Sequence, residues 1–177
     1  QGLEGLTIGQ AVEASGKEFV DWMCDLLLDA DLCVTIISLG MAQEEWMLRT
    51  LTHPLHMVMT DGIFTGSRPH PRGFNTYPRL LGHYVRERGI LSWETAIRKS
   101  TSFPAQRYGL TERGLLKRGL VADIVVFDPQ TVIDRGGFDD GRRPPAGIEY
   151  VLVNGKLAVE AGRRTATFAG KVLKPAA

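Results

Sequence analysis

The chain has 177 residues, 44% apolar and 23% charged, and 21 Lys plus Arg against 20 Asp plus Glu give a formal net charge of +1. That balance supplies neither the basic field of a nucleic-acid binder nor an acidic tail, and no apolar run approaches the ~18 residues of a membrane span. The length allows one domain, or one with a piece of another. The opening Gln1-Gly2-Leu3-Glu4 has no basic leader, no apolar core and no starting methionine, so it reads as the cut end of something longer. Cys24 and Cys33 lie on or beside apolar segments without Cys-x-x-Cys spacing. They are expected to be reduced, buried thiols of a cytoplasmic protein.

In chain order, Thr7 with Gln10 three residues on predicts a capping box. Val12, Phe19, Trp22, Met23, Leu26 and Leu27 then recur at helical spacing, with Gly16 dividing the stretch into two helices. Leu32 to Ile37 is a short, continuous apolar run, which predicts a strand buried on both faces. Glu44 to Leu51 returns to the helical pattern, and His56 to Thr60 is a second short apolar run. Asp61 to Tyr77, rich in Gly, Pro and Ser, predicts a long loop. Pro78 is expected to open a helix with Leu80, Leu81, Tyr84 and Val85 inside. Ser92 caps another helix, and Ser102 to Tyr108 forms a short one.

Strand alternating with helix predicts parallel β/α units, a barrel or a doubly wound sheet. Two strands close neither, so the first 110 residues read as part of a larger α/β fold. Past Tyr108 helical periodicity stops. Ala122 to Asp128 predicts a strand, and Asn154-Gly155 between two apolar runs predicts a hairpin. Asp123 and Asp128, at the two ends of the first of these strands, are expected to make caps or turn bonds.

The run Gly114-Leu115-Leu116-Lys117-Arg118-Gly119, continuing through Ala122-Asp123-Ile124-Val125-Val126-Phe127-Asp128, resembles a signature of the amidohydrolase superfamily. The later Val153-Asn154-Gly155 and Glu160-Ala161-Gly162-Arg163 are its usual companions. Thr60-Asp61-Gly62, His70-Pro71-Arg72-Gly73 and Tyr77-Pro78-Arg79-Leu80-Leu81-Gly82 resemble the D-aminoacylase branch, as does Arg98-Lys99-Ser100-Thr101-Ser102-Phe103-Pro104-Ala105; Thr60 stands where that branch more often has serine.

The resemblance implies a fold class: the C-terminal part of a (β/α)8 TIM barrel over residues 1–110, with its last strands near 32–38 and 56–60. Residues 111–177 would be strands of a small composite β-sandwich domain. It implies hydrolysis of N-acyl-D-amino acids to a carboxylate and a free D-amino acid, with zinc as cofactor. The chain holds no His-x-His, so the main ligands are expected elsewhere in the complete enzyme. By itself the chain is expected to be inactive and to retain no zinc.

Within that resemblance Asp61 is the expected catalytic residue, since a carboxylate after a barrel strand stands at the mouth. There it can take a proton from water and return it to the departing amine, and it can serve the metal directly or through a neighbouring ligand. Arg72, 11 residues on, is the expected substrate-binding residue. A guanidinium holds an α-carboxylate by two parallel bonds.

His70 shares the loop and either lines the pocket or holds it. His56, at the far end of the second run, is expected to be structural, and His83 to pack on a helix. The implied partners are a small N-acyl amino acid and the N-terminal part of the same enzyme, with no nucleic acid or membrane. Two rivals stand beside this reading: an amidohydrolase acting on cyclic amides, of the dihydroorotase or dihydropyrimidinase kind, and a non-catalytic β/α binding or structural module.

Overall fold

The computed structural model describes all residues except 1, 4, 35, 37–42, 65, 67 and 175–177. Helices α1 (Ile8–Ser15) and α2 (Phe19–Asp29) form where the periodicity places them. Thr7 Oγ1 accepts from the Gln10 N–H at 3.2 Å and Gln10 Oε1 accepts from the Thr7 N–H at 2.9 Å, the reciprocal bonds of a capping box. Gly16, at φ 67°, ends α1 in the left-handed turn that a residue without Cβ enters at no cost. In α3 (Glu44–Thr52) Glu44 and Glu45 occupy the first turn and Arg49 the last, each complementing the helix dipole.

The two expected strands do not form among the described residues. Leu32, at φ 62°, donates its N–H to the Leu27 carbonyl at 2.7 Å, and Cys33 donates to Ala30 at 2.8 Å, so both extend the turn that closes α2. Positions 35, 37 and 38 of that run lie outside the described residues. Leu32 and Ile36 are exposed, and so are Cys24 and Cys33, against the expectation of buried thiols.

His56 to Thr60 likewise enters no sheet. The Val58 N–H donates to the Lys99 carbonyl at 3.1 Å, and Tyr77 Oη donates to the Val58 carbonyl at 3.4 Å. Apolar, β-branched residues prepare a strand, but a ladder needs a neighbour, and none of the described segments runs alongside.

The expected loop is shorter than its composition suggests. Helix α4 (Arg72–Arg79) begins at Arg72, with Pro71 preset at φ −60° in front of it and Pro78 buried inside it. Pro78 has no N–H for the Phe74 carbonyl, and the chain continues as a wider π-helix over Leu80–Glu87. Ser92 Oγ accepts from the Thr95 N–H at 3.2 Å and caps α5 (Trp93–Ser100), and α6 (Ser102–Arg107) follows at once.

Leu51, Leu80, Val85 and Ala96 form the core of this helical part, with Met47, Val58 and Trp93 packed around them. Lys99, 1% exposed, reaches through it to donate Nζ hydrogen bonds to the carbonyls of His53 and, at 3.0 Å, His56. Burial pulls its pKa below the usual lysine value.

The remainder is an antiparallel meander, β1 (Ile124–Phe127), β2 (Ile148–Val153), β3 (Lys156–Glu160) and β4 (Arg163–Arg164), paired in chain order. Asn154 (φ 49°) and Gly155 (φ 76°) make the expected two-residue hairpin turn. Asp123 Oδ1 accepts from the Asn154 N–H at 2.7 Å, and Arg113 bridges Asp123 and Asn154 Oδ1. Asp128 accepts from the Gln130 N–H and the Thr131 hydroxyl, which lower its pKa, so both carboxylates are turn residues as expected.

Helical and β parts meet along a seam at Val132, 0% exposed. Its carbonyl accepts from Arg86 Nη1 at 2.6 Å, and nearby Trp93 stacks on Phe127 with ring centroids 5.8 Å apart. Gly82 lies against the same carbonyl: a methyl there would stand 2.3 Å from Val132 O and 2.9 Å from Ile133 Cα. Gly82→Ala is therefore expected to cost roughly 1–3 kcal/mol of stability, overriding alanine's ~1 kcal/mol helix advantage. Denaturant titration checks this; an unchanged midpoint would mean that the seam yields freely.

Candidate active site

Asp61 follows the His56–Thr60 run and Arg72 opens α4. Between them the chain doubles back, because two glycines let backbone touch backbone. A methyl on Gly62 would lie 2.8 Å from Gly73 Cα, and one on Gly73 would lie 2.8 Å from the Phe64 ring. Phe64 fills the fold of this loop and stands edge-on to Phe74, centroids 5.3 Å apart.

The closure brings Arg72 Nη2 to 3.1 Å from Asp61 Oδ2. The Asp61 side chain is 71% exposed and its backbone takes φ 44°, a left-handed conformation aspartate tolerates better than most residues. Arg72 Nε, by contrast, is buried and has no hydrogen-bond partner among the described residues. An exposed ion pair of this kind contributes little to folding, whereas an unfilled buried donor is costly and calls for an acceptor.

His70 holds this arrangement from the side. Its Nδ1 accepts from the Arg72 N–H at 3.0 Å, which leaves Nε2 as the protonated nitrogen of the neutral ring. Burial, and then the Arg72 charge, lower its pKa. Of the two roles its position left open, the structure records the loop-holding one.

His56 and His83 are elsewhere. Burial, followed by Lys99, lowers the His56 pKa, and its Nδ1 is buried without a partner among the described residues. His83 Nδ1 lies 3.1 Å from Glu87 Oε2 on the π-helix. A hollow of about 460 Å³ is lined by Trp46, Arg49, Thr50, His53, Leu55 and His56; neither Asp61 nor Arg72 belongs to it.

Among the described residues no group of three or more His, Cys, Asp or Glu side chains could hold a metal ion. Nor is any helix there long and apolar enough to cross a membrane. Reading the sequence singled out Asp61 and Arg72 but missed the Gly62–Gly73 contact that joins them. The signal was a glycine directly after each charged residue. It also missed Asn75, buried on α4.

Residues 42–159 match the amidohydrolase family. The chain is 39% identical over 168 residues to an N-acyl-D-aspartate deacylase of Alcaligenes xylosoxydans xylosoxydans, covering 92% of this chain and 34% of that protein. A D-aminoacylase structure with a binuclear metal centre superposes with a TM-score of 0.81 at 35% identity, over 94% of this chain and 34% of that one. An N-acyl-D-glutamate deacylase from Bordetella bronchiseptica, complexed with zinc and a phosphonate that mimics the tetrahedral intermediate, gives 0.64 at 41% identity over 69% of this chain and 27% of that one. The chain thus spans about a third of the length of these relatives. With two thirds of its residues inside the family match and its mixed helix and strand content superposing on solved deacylases, the chain belongs to the amidohydrolase family.

Proposed function

We propose that this chain is the C-terminal share of a zinc-dependent deacylase that cleaves N-acyl-D-amino acids to a carboxylate and a free D-amino acid. In this reading residues 1–110 complete a (β/α)8 barrel, and 111–177 supply strands to a small β-sandwich. The run before Asp61 finds its ladder partners in barrel strands outside this chain, and Asp61 faces the mouth.

A bound zinc supplies polarisation of the scissile carbonyl and acidification of water. Among the described residues no cluster of three or more ligating side chains stands, so this chain would bring to such a centre the single carboxylate of Asp61, 3.1 Å from the Arg72 guanidinium. Asp61 takes the proton from water and returns it to the nitrogen that departs. Arg72 receives the α-carboxylate on the exposed part of its guanidinium, beside Asp61.

One observation carries this reading: Asp61 and Arg72 stand 3.1 Å apart. In an N-acyl amino acid the scissile nitrogen and the α-carboxylate are attached to the same carbon. The group that protonates one and the group that holds the other must therefore be neighbours.

The test is a substrate panel on the complete polypeptide, comparing N-acyl-D-amino acids, their L enantiomers and cyclic amides. Hydrolysis of the D series, lost on chelation and restored by zinc, is the expected result. Turnover of cyclic amides alone would replace the reading with its nearest rival, and turnover of none would leave a non-catalytic module.

A further inference from the structure

Residues 134–143 leave the β part as a loop whose base is closed by the antiparallel bridge between Ile133 and Ala146. The loop comes to rest against the segment that carries Arg72. Asn75, three residues into α4 and 3% exposed, spends its whole amide there. Its Nδ2 donates to the carbonyls of Gly141 (3.3 Å) and Arg143 (3.2 Å), and its Oδ1 accepts from the Arg135 N–H at 3.3 Å. Arg79, at the end of α4, pairs with Asp134 at 2.9 Å.

Ahead of the helix, Arg142 Nη2 donates to the Gly66 carbonyl at 2.9 Å. The Phe138 ring stands edge-on to His70, centroids 5.2 Å apart, and His70 in turn accepts the Arg72 N–H. The fit has no slack. A methyl on Gly136 would lie 2.4 Å from Asn75 Nδ2, and one on Gly141 would lie 2.1 Å from the Pro69 carbonyl oxygen.

We propose that the 134–143 loop braces Arg72, and that Asn75 is the positioning residue through which the β part sets the carboxylate receptor. The inference rests on the reading of Arg72 as the group that binds the substrate's α-carboxylate. Asn75 spends its side-chain hydrogen bonds on Gly141, Arg143 and Arg135, not on Asp61, and acts through the helix. A buried amide with both donors and its acceptor engaged cannot be removed without orphaning two carbonyls and an N–H. The loop must then rehydrate, and α4 loses its support one turn from Arg72. A guanidinium that has to meet a carboxylate in two parallel bonds tolerates little wandering.

The experiment uses Asn75→Ala and the milder, half-exposed Phe138→Ala in the complete, metal-loaded polypeptide. Asn75→Ala is expected to raise KM for N-acyl-D-amino acids about tenfold to a hundredfold with kcat within about threefold, the signature of lost ground-state and transition-state binding alike. Metal content should be unchanged. In both variants hydrogen exchange of the Arg72 and Gly73 amides should quicken; Phe138→Ala should show the smaller rise in KM, and decides the matter if Asn75→Ala does not fold.

Unchanged KM and unchanged exchange in a folded variant would overturn the proposal. So would a lower melting temperature with KM intact, or a fall in kcat alone. The exchange measurement needs no substrate, so it stands even if the deacylase reading fails in the panel above.

Discussion

Asp61→Asn in the complete polypeptide is expected to lower kcat by about three orders of magnitude, the scale of a lost general acid–base group, while zinc content holds. Asparagine preserves the size of the side chain and tolerates the left-handed backbone at this position, φ 44°. Folding should therefore survive, the more so because the exposed pair with Arg72 contributes little. What disappears is a site that can accept a proton and give it back. Single-turnover kinetics with elemental analysis separate the two roles open to this carboxylate. Turnover lost with metal retained marks a proton carrier; turnover and metal lost together mark a ligand. A loss below about tenfold would remove Asp61 from the chemistry altogether.

Arg72→Lys is the second large effect, and its size follows from geometry rather than charge. Lysine keeps the positive charge but presents a point where the guanidinium presents a fork. Losing one of two parallel charge-assisted bonds costs about 2–3 kcal/mol, equivalent to roughly 30- to 150-fold in KM. Because the lost contact exists in both bound substrate and transition state, kcat should change far less. An Arg72→Lys enzyme with wild-type KM would mean that the carboxylate is held by a different residue.

Features set by neighbours in the chain were legible from the sequence. The Thr7–Gln10 box, the Gly16 break, the Ser92 cap and the Asn154-Gly155 turn each depend on a few adjacent residues. The runs at 32–38 and 56–60 were read as strands, because apolar, β-branched residues suit a pleated sheet. Pairing is non-local, however, and the described residues offer those runs no partner. The start of α4 was missed because Pro71 and Gly73 look like loop composition and Pro78 reads as a helix opener; the two prolines are tolerated at the helix entrance and at its transition to the π-helix.

The candidate site divides in the same way. Asp61 and Arg72 were named from a resemblance, and an 11-residue interval says nothing of distance. Two glycines and the ring of Phe64 set the 3.1 Å separation. Asn75 carried no signal at all, since its bonding partners lie 60 to 68 residues further along the chain.

Lys99 also has a practical consequence. Lys17, Lys117, Lys156, Lys171 and Lys174 are exposed, while the Lys99 amine is sealed beneath the backbone that leads to Asp61. An amine-acylating reagent would label the five at once and reach the sixth only when that floor lifts. The rate of the last modification thus times the breathing of the segment under the candidate site, with no substrate and no engineered probe.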